Sequence, residues 1–282
     1  MRRALLILLL TWLAIGAGCA QEDVRQAQPK IGLVLSGGGA MGAAEVGALK
    51  VIEQCGVPIH CIAGTSIGSI VGALYALGYR AAELDSLFRS QQWLRLFAEG
   101  NLVGYFEQFT GQNDTCDFSR LPIPFACVAV DLQTQREVVL THGSLARSMR
   151  ASMAIPGAFK PVKIDGRLLI DGGMLNVLPT DVAKAMGADI IITIDVQQKD
   201  HRTRHFSLKN VLGIGGFLDW AVSRPDWRKY NDNRRLADVY IRPNLSGYSV
   251  LDFNSSDIAR MIDLGEKAAR RHEATLRALA KE

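Results

Sequence analysis

Long apolar stretches are scarce: the run from Ala4 to Ile15 is too short to span a bilayer as a permanent helix and no other segment reaches that length, so the chain does not read as crossing a bilayer. Charge of one sign is scarce too. With 32 Lys and Arg against 28 Asp and Glu, a net charge of +4 argues for no nucleic-acid partner without a clustered basic groove. Cysteine numbers only 5 and proline 9, and neither an internal repeat nor a low-complexity tract occurs. A disulfide-stapled miniature scaffold, a collagen-like repeat and a disordered chain are thereby excluded. What is there suits a globular α/β protein. The 282 residues are 48% hydrophobic, enough for a sizeable core, and 27 glycines fit a fold with many tight strand-to-helix turns.

Met1 to Ala20 reads as a targeting segment: Arg2 and Arg3 form a positive start, Ala4 to Ile15 an apolar run broken by Thr11, and Gly16 to Ala20 a small-residue end. The expectation is an exported protein, periplasmic or secreted, released by cleavage after Gly18-Cys19-Ala20. In the alternative, Cys19 is lipid-modified, because Ile15 to Cys19 resembles a bacterial lipobox, although Gly16 stands where that motif has a large aliphatic residue. Residues 21–30 then form a polar linker, and residues 31–282 the folded domain. The spacings of Cys55, Cys61, Cys116 and Cys127 match neither a metal site nor a stapled framework. Cys61 and Cys127 lie in apolar runs and are expected to be buried thiols.

Short β-branched runs alternate with helical patterns along the chain. Lys30 to Ser36 is a buried strand, followed by a turn at Gly37-Gly38-Gly39 and a helix from about Gly42 to Gln54. A second unit repeats the pattern: strand Ile59 to Ala63, turn Gly64 to Gly68, helix Ile67 to Leu77. Residues 81–112 form an amphipathic helical stretch whose apolar face carries Leu84, Leu87, Phe88, Trp93, Leu94 and Phe97. Strand Pro124 to Leu132 pairs with Arg136 to Thr141, and Ser144 to Met153 is a helix stopped by Pro156. Asp165-Gly166 marks a hairpin between Val162 to Ile164 and Arg167 to Ile170. Thr180 to Met186 is a helix, Asp189 to Val196 and Asp238 to Arg242 are strands, and Ser256 to Leu279 is a closing helix. Residues 199–235 are less regular. The fold class implied is a three-layer α/β/α architecture with a mostly parallel central sheet, whose chemistry collects where strands end and helices begin.

The strongest local signal is Gly64-Thr65-Ser66-Ile67-Gly68, a G-x-S-x-G between a strand and a helix. A nucleophile at that junction needs a sharp turn, and the flanking glycines let strand and helix approach; Ser66 is expected to stand exposed at the tip, with the helix N-terminus facing any oxyanion. In isolation the pattern is also an ordinary glycine-rich turn. Its context is Ser36-Gly37-Gly38-Gly39-Ala40-Met41-Gly42 on the preceding strand-to-helix turn, where consecutive glycines can gather backbone N–H groups into an anion-binding nest. Gly37, Gly39 and Gly42 also satisfy G-x-G-x-x-G, a dinucleotide fingerprint. That alternative needs an acidic residue at the end of the next strand, where this chain places the serine turn. His60 and His142 precede the expected order for a Ser, acid, His triad, while His201, His205 and His272 sit in polar, basic stretches. Asp171 is the better partner for Ser66: it ends a strand, two glycines follow it, and desolvation with a direct hydrogen bond would suit its carboxylate to act as a base.

The three motifs in this order, SGGGAMG, GTSIG and DGG, resemble the patatin-like phospholipase family, as do the stretches Ala151 to Val162 and Asp171 to Pro179; the similarity runs from about Ile31 into the C-terminal helix. The resemblance implies acyl-ester hydrolysis on a lipid or phospholipid substrate with no metal and no organic cofactor. It makes Ser66 the nucleophile, Asp171 its partner in a catalytic dyad, and Gly37, Gly38 and Gly39 the oxyanion loop. Two departures stand out. Members of the family commonly carry Arg or Lys where this chain has Met41, and often His where it has Glu45, a residue one helical turn on that is read here as facing solvent. The competing expectations are a dinucleotide-dependent oxidoreductase and a catalytically weak lipid-binding relative. Residues 199–235 hold 9 basic residues against 4 acidic ones, interleaved with apolar side chains from Phe206 to Trp220, a pattern that suits peripheral contact with an anionic membrane.

Overall fold

The computed structural model describes residues 28–90, 102–110, 116–197 and 226–281. Its centre is a sheet in which β1 (Ile31–Leu35), β2 (Cys61–Thr65), β4 (Phe125–Asp131), β9 (Ile190–Ile194) and β10 (Val239–Ile241) run parallel. A hairpin, β7 (Val162–Ile164) and β8 (Arg167–Asp171), joins antiparallel to β4, giving the order β10-β9-β1-β2-β4-β8-β7. β5 (Arg136–Leu140) pairs antiparallel with β4 as well, and a separate two-stranded ladder joins β3 (Cys116–Asp117) to β6 (His142–Gly143). The expected mostly parallel sheet is present, with an antiparallel flank.

The strands are buried on both faces. Leu33 and Leu35 of β1, Ile62 of β2 and Phe125, Cys127 and Ala129 of β4 point into one cluster, while Val34, Cys61, Ala63, Ala126 and Val128 point into the other, as a period of two requires. The first face is covered by α1 (Ala43–Cys55), α2 (Ile67–Ala76), α3 (Ala81–Arg89), α4 (Leu102–Thr110), α5 (Leu145–Ser152), α8 (Ser255–Arg270) and α9 (Glu273–Leu279). The second is covered by α6 (Thr180–Ala185) and α7 (Trp227–Arg235). Three layers result, as the strand and helix alternation predicts. Cys61 and Cys127 are buried thiols, as expected.

α1 and α8 cross with their backbones in contact: a Cβ on Gly47 would lie 1.8 Å from the Ile262 carbonyl oxygen, and one on Gly265 1.8 Å from that of Ala44. Only glycine fits at either position of this crossing, which fixes one face of α1 against α8.

Several boundaries differ from the sequence reading. β2 extends through Gly64 and Thr65, because both lie in the parallel ladders to β1 or β4. The stretch at 81–112 contains two helices among the described residues; Leu84 and Phe88 are buried, and Trp93, Leu94 and Phe97 lie outside those residues. The closing helix is two helices, α8 and α9, parted at Arg271–His272. Within 199–235, residues 226–235 are regular after all: Asp226 caps α7 by accepting from the N–H groups of Arg228 and Lys229. Residues 199–225, including the apolar side chains from Phe206 to Trp220, lie outside the described set, as does the leader read at residues 1–20.

Candidate active site

One edge of β4 serves two partners in succession. β2 pairs with its first half, Thr65 lying opposite Val128, and β8 pairs with its second half, Asp171 lying opposite Ala129. Because β2 is parallel to β4 and β8 antiparallel, the two strands run head-on and their C-terminal ends meet. Ser66 is the residue after β2 and Asp171 is the last of β8, so neighbouring residues of one strand bring them together. The Ser66 hydroxyl donates to Asp171 Oδ2 at 2.7 Å.

Ser66 occupies φ 54°, ψ −123°, a region that L-residues seldom visit and that costs on the order of 1–3 kcal/mol. Three contacts hold it there. Its N–H donates to the Ser152 hydroxyl at 2.9 Å, that hydroxyl donates to the Val128 carbonyl at 2.6 Å, and the Ser69 hydroxyl donates to the Ser66 carbonyl at 2.6 Å. The glycines of the turn meet each other: a Cβ on Gly64 would come within 2.4 Å of the Gly68 carbonyl oxygen, and one on Gly68 within 2.5 Å of that of Leu35. This packing is the physical content of the G-x-S-x-G pattern. It also corrects one expectation, since Ser66 retains only 6% exposure instead of standing free. The residues around it wall a cleft lined by Gly37, Gly38, Ser66, Ile155, Asp171, Gly173, Met174 and Val177.

Asp171 is 5% exposed, and burial pushes its carboxyl from the ordinary 3.8 up to about 6; the hydrogen bonds from Ser66 and from the Gly173 N–H at 2.7 Å pull the other way. At neutral pH it is therefore mostly ionised and in contact with the hydroxyl whose proton it would accept. The chain beyond it grips both glycine motifs: the Thr65 hydroxyl donates to the Asn176 carbonyl at 2.8 Å, and the Gly37 N–H to the Val177 carbonyl at 2.9 Å. Of the three loop glycines, Gly37 thus has its N–H committed, whereas the N–H groups of Gly38 and Gly39 meet no acceptor among the described residues. Gly39 takes φ +58°, and a Cβ there would strike the Val250 carbonyl oxygen at 2.4 Å.

Beneath the loop the sequence reading needs correction at Glu45. It faces the interior with no exposure, neither carboxylate oxygen has a hydrogen-bond partner, and burial holds its pKa well above the ordinary carboxyl range. The cause is that α1 is covered all round at its start, with every residue from Ala43 to Leu49 buried. Met41, where the resemblance leads one to expect a cation, is buried in the apolar core at 6% exposure.

The described histidines stand elsewhere. His60 accepts from the Ile31 N–H at the opposite end of the strands, His142 is exposed near Asp165, and His272 lies between α8 and α9; His201 and His205 lie outside the described residues. Among the described residues no group of three His, Cys, Asp or Glu side chains could hold a metal ion, and no helix is long and apolar enough to cross a membrane. The carboxylate that a dinucleotide ribose would need at the end of β2 is replaced by Thr65 and Ser66. Sequence reasoning passed over Ser152, although it sits in the quoted stretch Ala151 to Val162, and Gln197, whose side-chain amide donates to the Gly37 carbonyl.

A family model described as patatin-like phospholipase matches residues 33–184, just over half of the chain. Patatin-like phospholipase domain-containing protein 7 of Mus musculus is 34% identical over 279 residues, an alignment covering 80% of this chain and 19% of that protein. Lysophospholipase nte1 of Aspergillus fumigatus is 31% identical over 272 residues, covering 80% of this chain and 17% of its own length. The chain thus spans less than a fifth of the length of these curated relatives. In fold it is similar to VipD from Legionella pneumophila, with a TM-score of 0.54 at 13% identity over 88% of this chain and 67% of that one.

Proposed function

The chain belongs to the patatin-like phospholipase family, and on that premise we propose that it is a serine acyl-ester hydrolase acting on lipids through Ser66 and Asp171. The observation that carries the reading is the 2.7 Å hydrogen bond from a strained, buried serine to a buried carboxylate, in a cleft that the glycine loop also lines.

In this reading the Ser66 oxygen attacks the ester carbonyl carbon while its proton passes to Asp171 Oδ2. The carbonyl oxygen becomes an oxyanion, held by the loop of Gly37, Gly38 and Gly39 through the unclaimed N–H groups of Gly38 and Gly39. Collapse breaks the ester C–O bond, and the leaving alcohol takes the proton from Asp171. Water then gives a proton to Asp171 and attacks the acyl-serine, releasing the fatty acid and restoring the Ser66 hydroxyl. No step calls for a metal or an organic cofactor. The substrates proposed are phospholipids and lysophospholipids, the latter supported by the name of the Aspergillus relative.

Two further parts of the reading are proposals with their own tests. The basic and apolar residues of 199–235 make peripheral contact with anionic membranes, expected as salt-sensitive co-sedimentation with anionic vesicles that is lost when Arg202, Arg204 and Lys209 become Glu. The protein is exported, expected as a mature chain beginning at Gln21, or at a lipid-modified Cys19.

The test of the activity is labelling with a fluorophosphonate. Covalent modification at Ser66, lost in Ser66→Ala, is expected; labelling that survives that substitution would remove the assignment.

A further inference from the structure

β1 and β9 pair as far as Leu35 and Ile194, and there the ladder ends. Beyond it the chains stay joined by other contacts. The Ser36 N–H donates to the Ile194 carbonyl at 3.2 Å, the Ser36 hydroxyl accepts from the Val196 N–H at 2.9 Å, and the side-chain amide of Gln197 donates to the Gly37 carbonyl. The last contact bears on the chemistry, because the Gly37 carbonyl and the Gly38 N–H belong to one peptide group. In a trans peptide these two groups point in opposite directions, so fixing the carbonyl fixes the amide. No peptide bond of the described chain is cis.

We infer that Gln197 is a positioning residue for the oxyanion loop: by holding the Gly37 carbonyl it turns the Gly38 N–H towards the cleft. The inference rests on the acyl-transfer reading of the site. Glycine on both sides of this peptide makes its rotation inexpensive, since no Cβ opposes it. Rotation would aim a carbonyl oxygen at the place where negative charge develops, converting a stabilising dipole into a repulsive one. An anchor on the carbonyl prevents this.

Gln197 is built to be that anchor. It is 4% exposed, its own N–H donates to Asp195 Oδ1 at 2.9 Å, and its carbonyl accepts from Arg242 Nε at 3.0 Å. Asp195 is fully buried, and the hydroxyls of Tyr230 and Tyr240 both donate to its Oδ2. The anchor is therefore fixed from β10, from α7 and from the end of β9, and not by the substrate.

The experiment replaces Gln197 by Met, which keeps shape and loses the donor, and by Leu, which removes the polar end altogether. Steady-state hydrolysis of a short-chain ester is measured beside Ser66→Ala. Loss of one oriented oxyanion donor is expected to lower kcat about 100- to 1,000-fold with KM little changed. The acid limb of the pH profile should stay in place, because Asp171 keeps its partner, and an alkyl boronic acid should bind more weakly by a similar factor. General loosening would instead move KM and the acid limb together, and would overturn the inference. So would a folded Met or Leu variant with kcat within threefold of the parent while Ser66→Ala is dead. Equal turnover by parent and Ser66→Ala would overturn the underlying reading. On the unaltered protein, the Gly38 amide proton should shift downfield when the boronic acid binds; no shift refutes the inference even if neither variant folds.

Discussion

The N–H of Ser66 and the hydroxyl of Ser152 are 2.9 Å apart, and through that one hydroxyl the strained turn is tied to the Val128 carbonyl of β4. Ser152→Ala leaves a buried donor and a buried acceptor unpaired, each worth about 1–3 kcal/mol. Chemical denaturation should show a loss of at least about 1 kcal/mol, with ester turnover reduced as Ser66 relaxes. Unaltered stability would mean that the hydroxyl is not what holds the turn.

Ser66→Ala and Asp171→Asn should each abolish most ester turnover while leaving circular dichroism unchanged, because members of one catalytic unit lose most of the rate on removal of either. Replacing His201, His205 or His272 by Ala should change turnover by only a few fold. An essential histidine would replace the dyad by a triad.

The pH dependence follows from Asp171. Its carboxyl is raised to about 6 by burial, and the proposed mechanism needs it ionised to take the Ser66 proton. Hydrolysis should therefore fall on the acid side with an apparent pKa near 6 and be level above neutrality. A limb at an ordinary aspartate value near 3.8 would show that the group in control is not buried.

Glu45 should be visible in stability. Its folded pKa is raised, so its favourable contribution is complete below its ordinary value of 4.5 and is lost as pH rises towards the folded value, because the unfolded chain ionises first. Asp171 acts in the same sense, but only up to about 6. Glu45→Gln should flatten the decline in unfolding free energy between acid and alkaline pH and raise stability at pH 8. Equal slopes for parent and variant would count against a neutral, buried Glu45.

At the helix crossing, a methyl on Gly265 has no room against the Ala44 carbonyl. Gly265→Ala should cost roughly 1–3 kcal/mol of stability as α1 and α8 move apart. Since α1 follows directly from the glycine loop, ester turnover should fall in the same variant; a melting temperature equal to the parent's would refute the crossing.

Much of this was legible in the sequence because it depends on short-range patterns. The apolar runs of β1 and β4, the hairpin at Asp165-Gly166 and the serine turn each reside in a few adjacent residues, and Asp165 and Gly166 do take the positive φ values of 48° and 78° that such a turn demands. What escaped depends on residues far apart. Ser152 meets Ser66 across 86 positions, and Gln197 meets Gly37 across 160, each through a backbone group that carries no signature of its own. Glu45 was misread for another reason. Helical spacing assigns a face only where one side meets water, and the start of α1 lies between the sheet and α8, so a charged residue there enters the interior.

The head-on meeting of β2 and β8 also sets a schedule for the molecule. Ser66 and its acid are 105 residues apart, and the acid sits on a strand that must reverse direction to reach the edge of β4. Contacts of such separation form only after the intervening loop closure has been met, whereas the serine turn itself is local. A chain emerging from synthesis therefore carries Ser66 long before it carries Asp171. On the proposed mechanism it would stay chemically silent until the hairpin docks, so that turnover would report that docking.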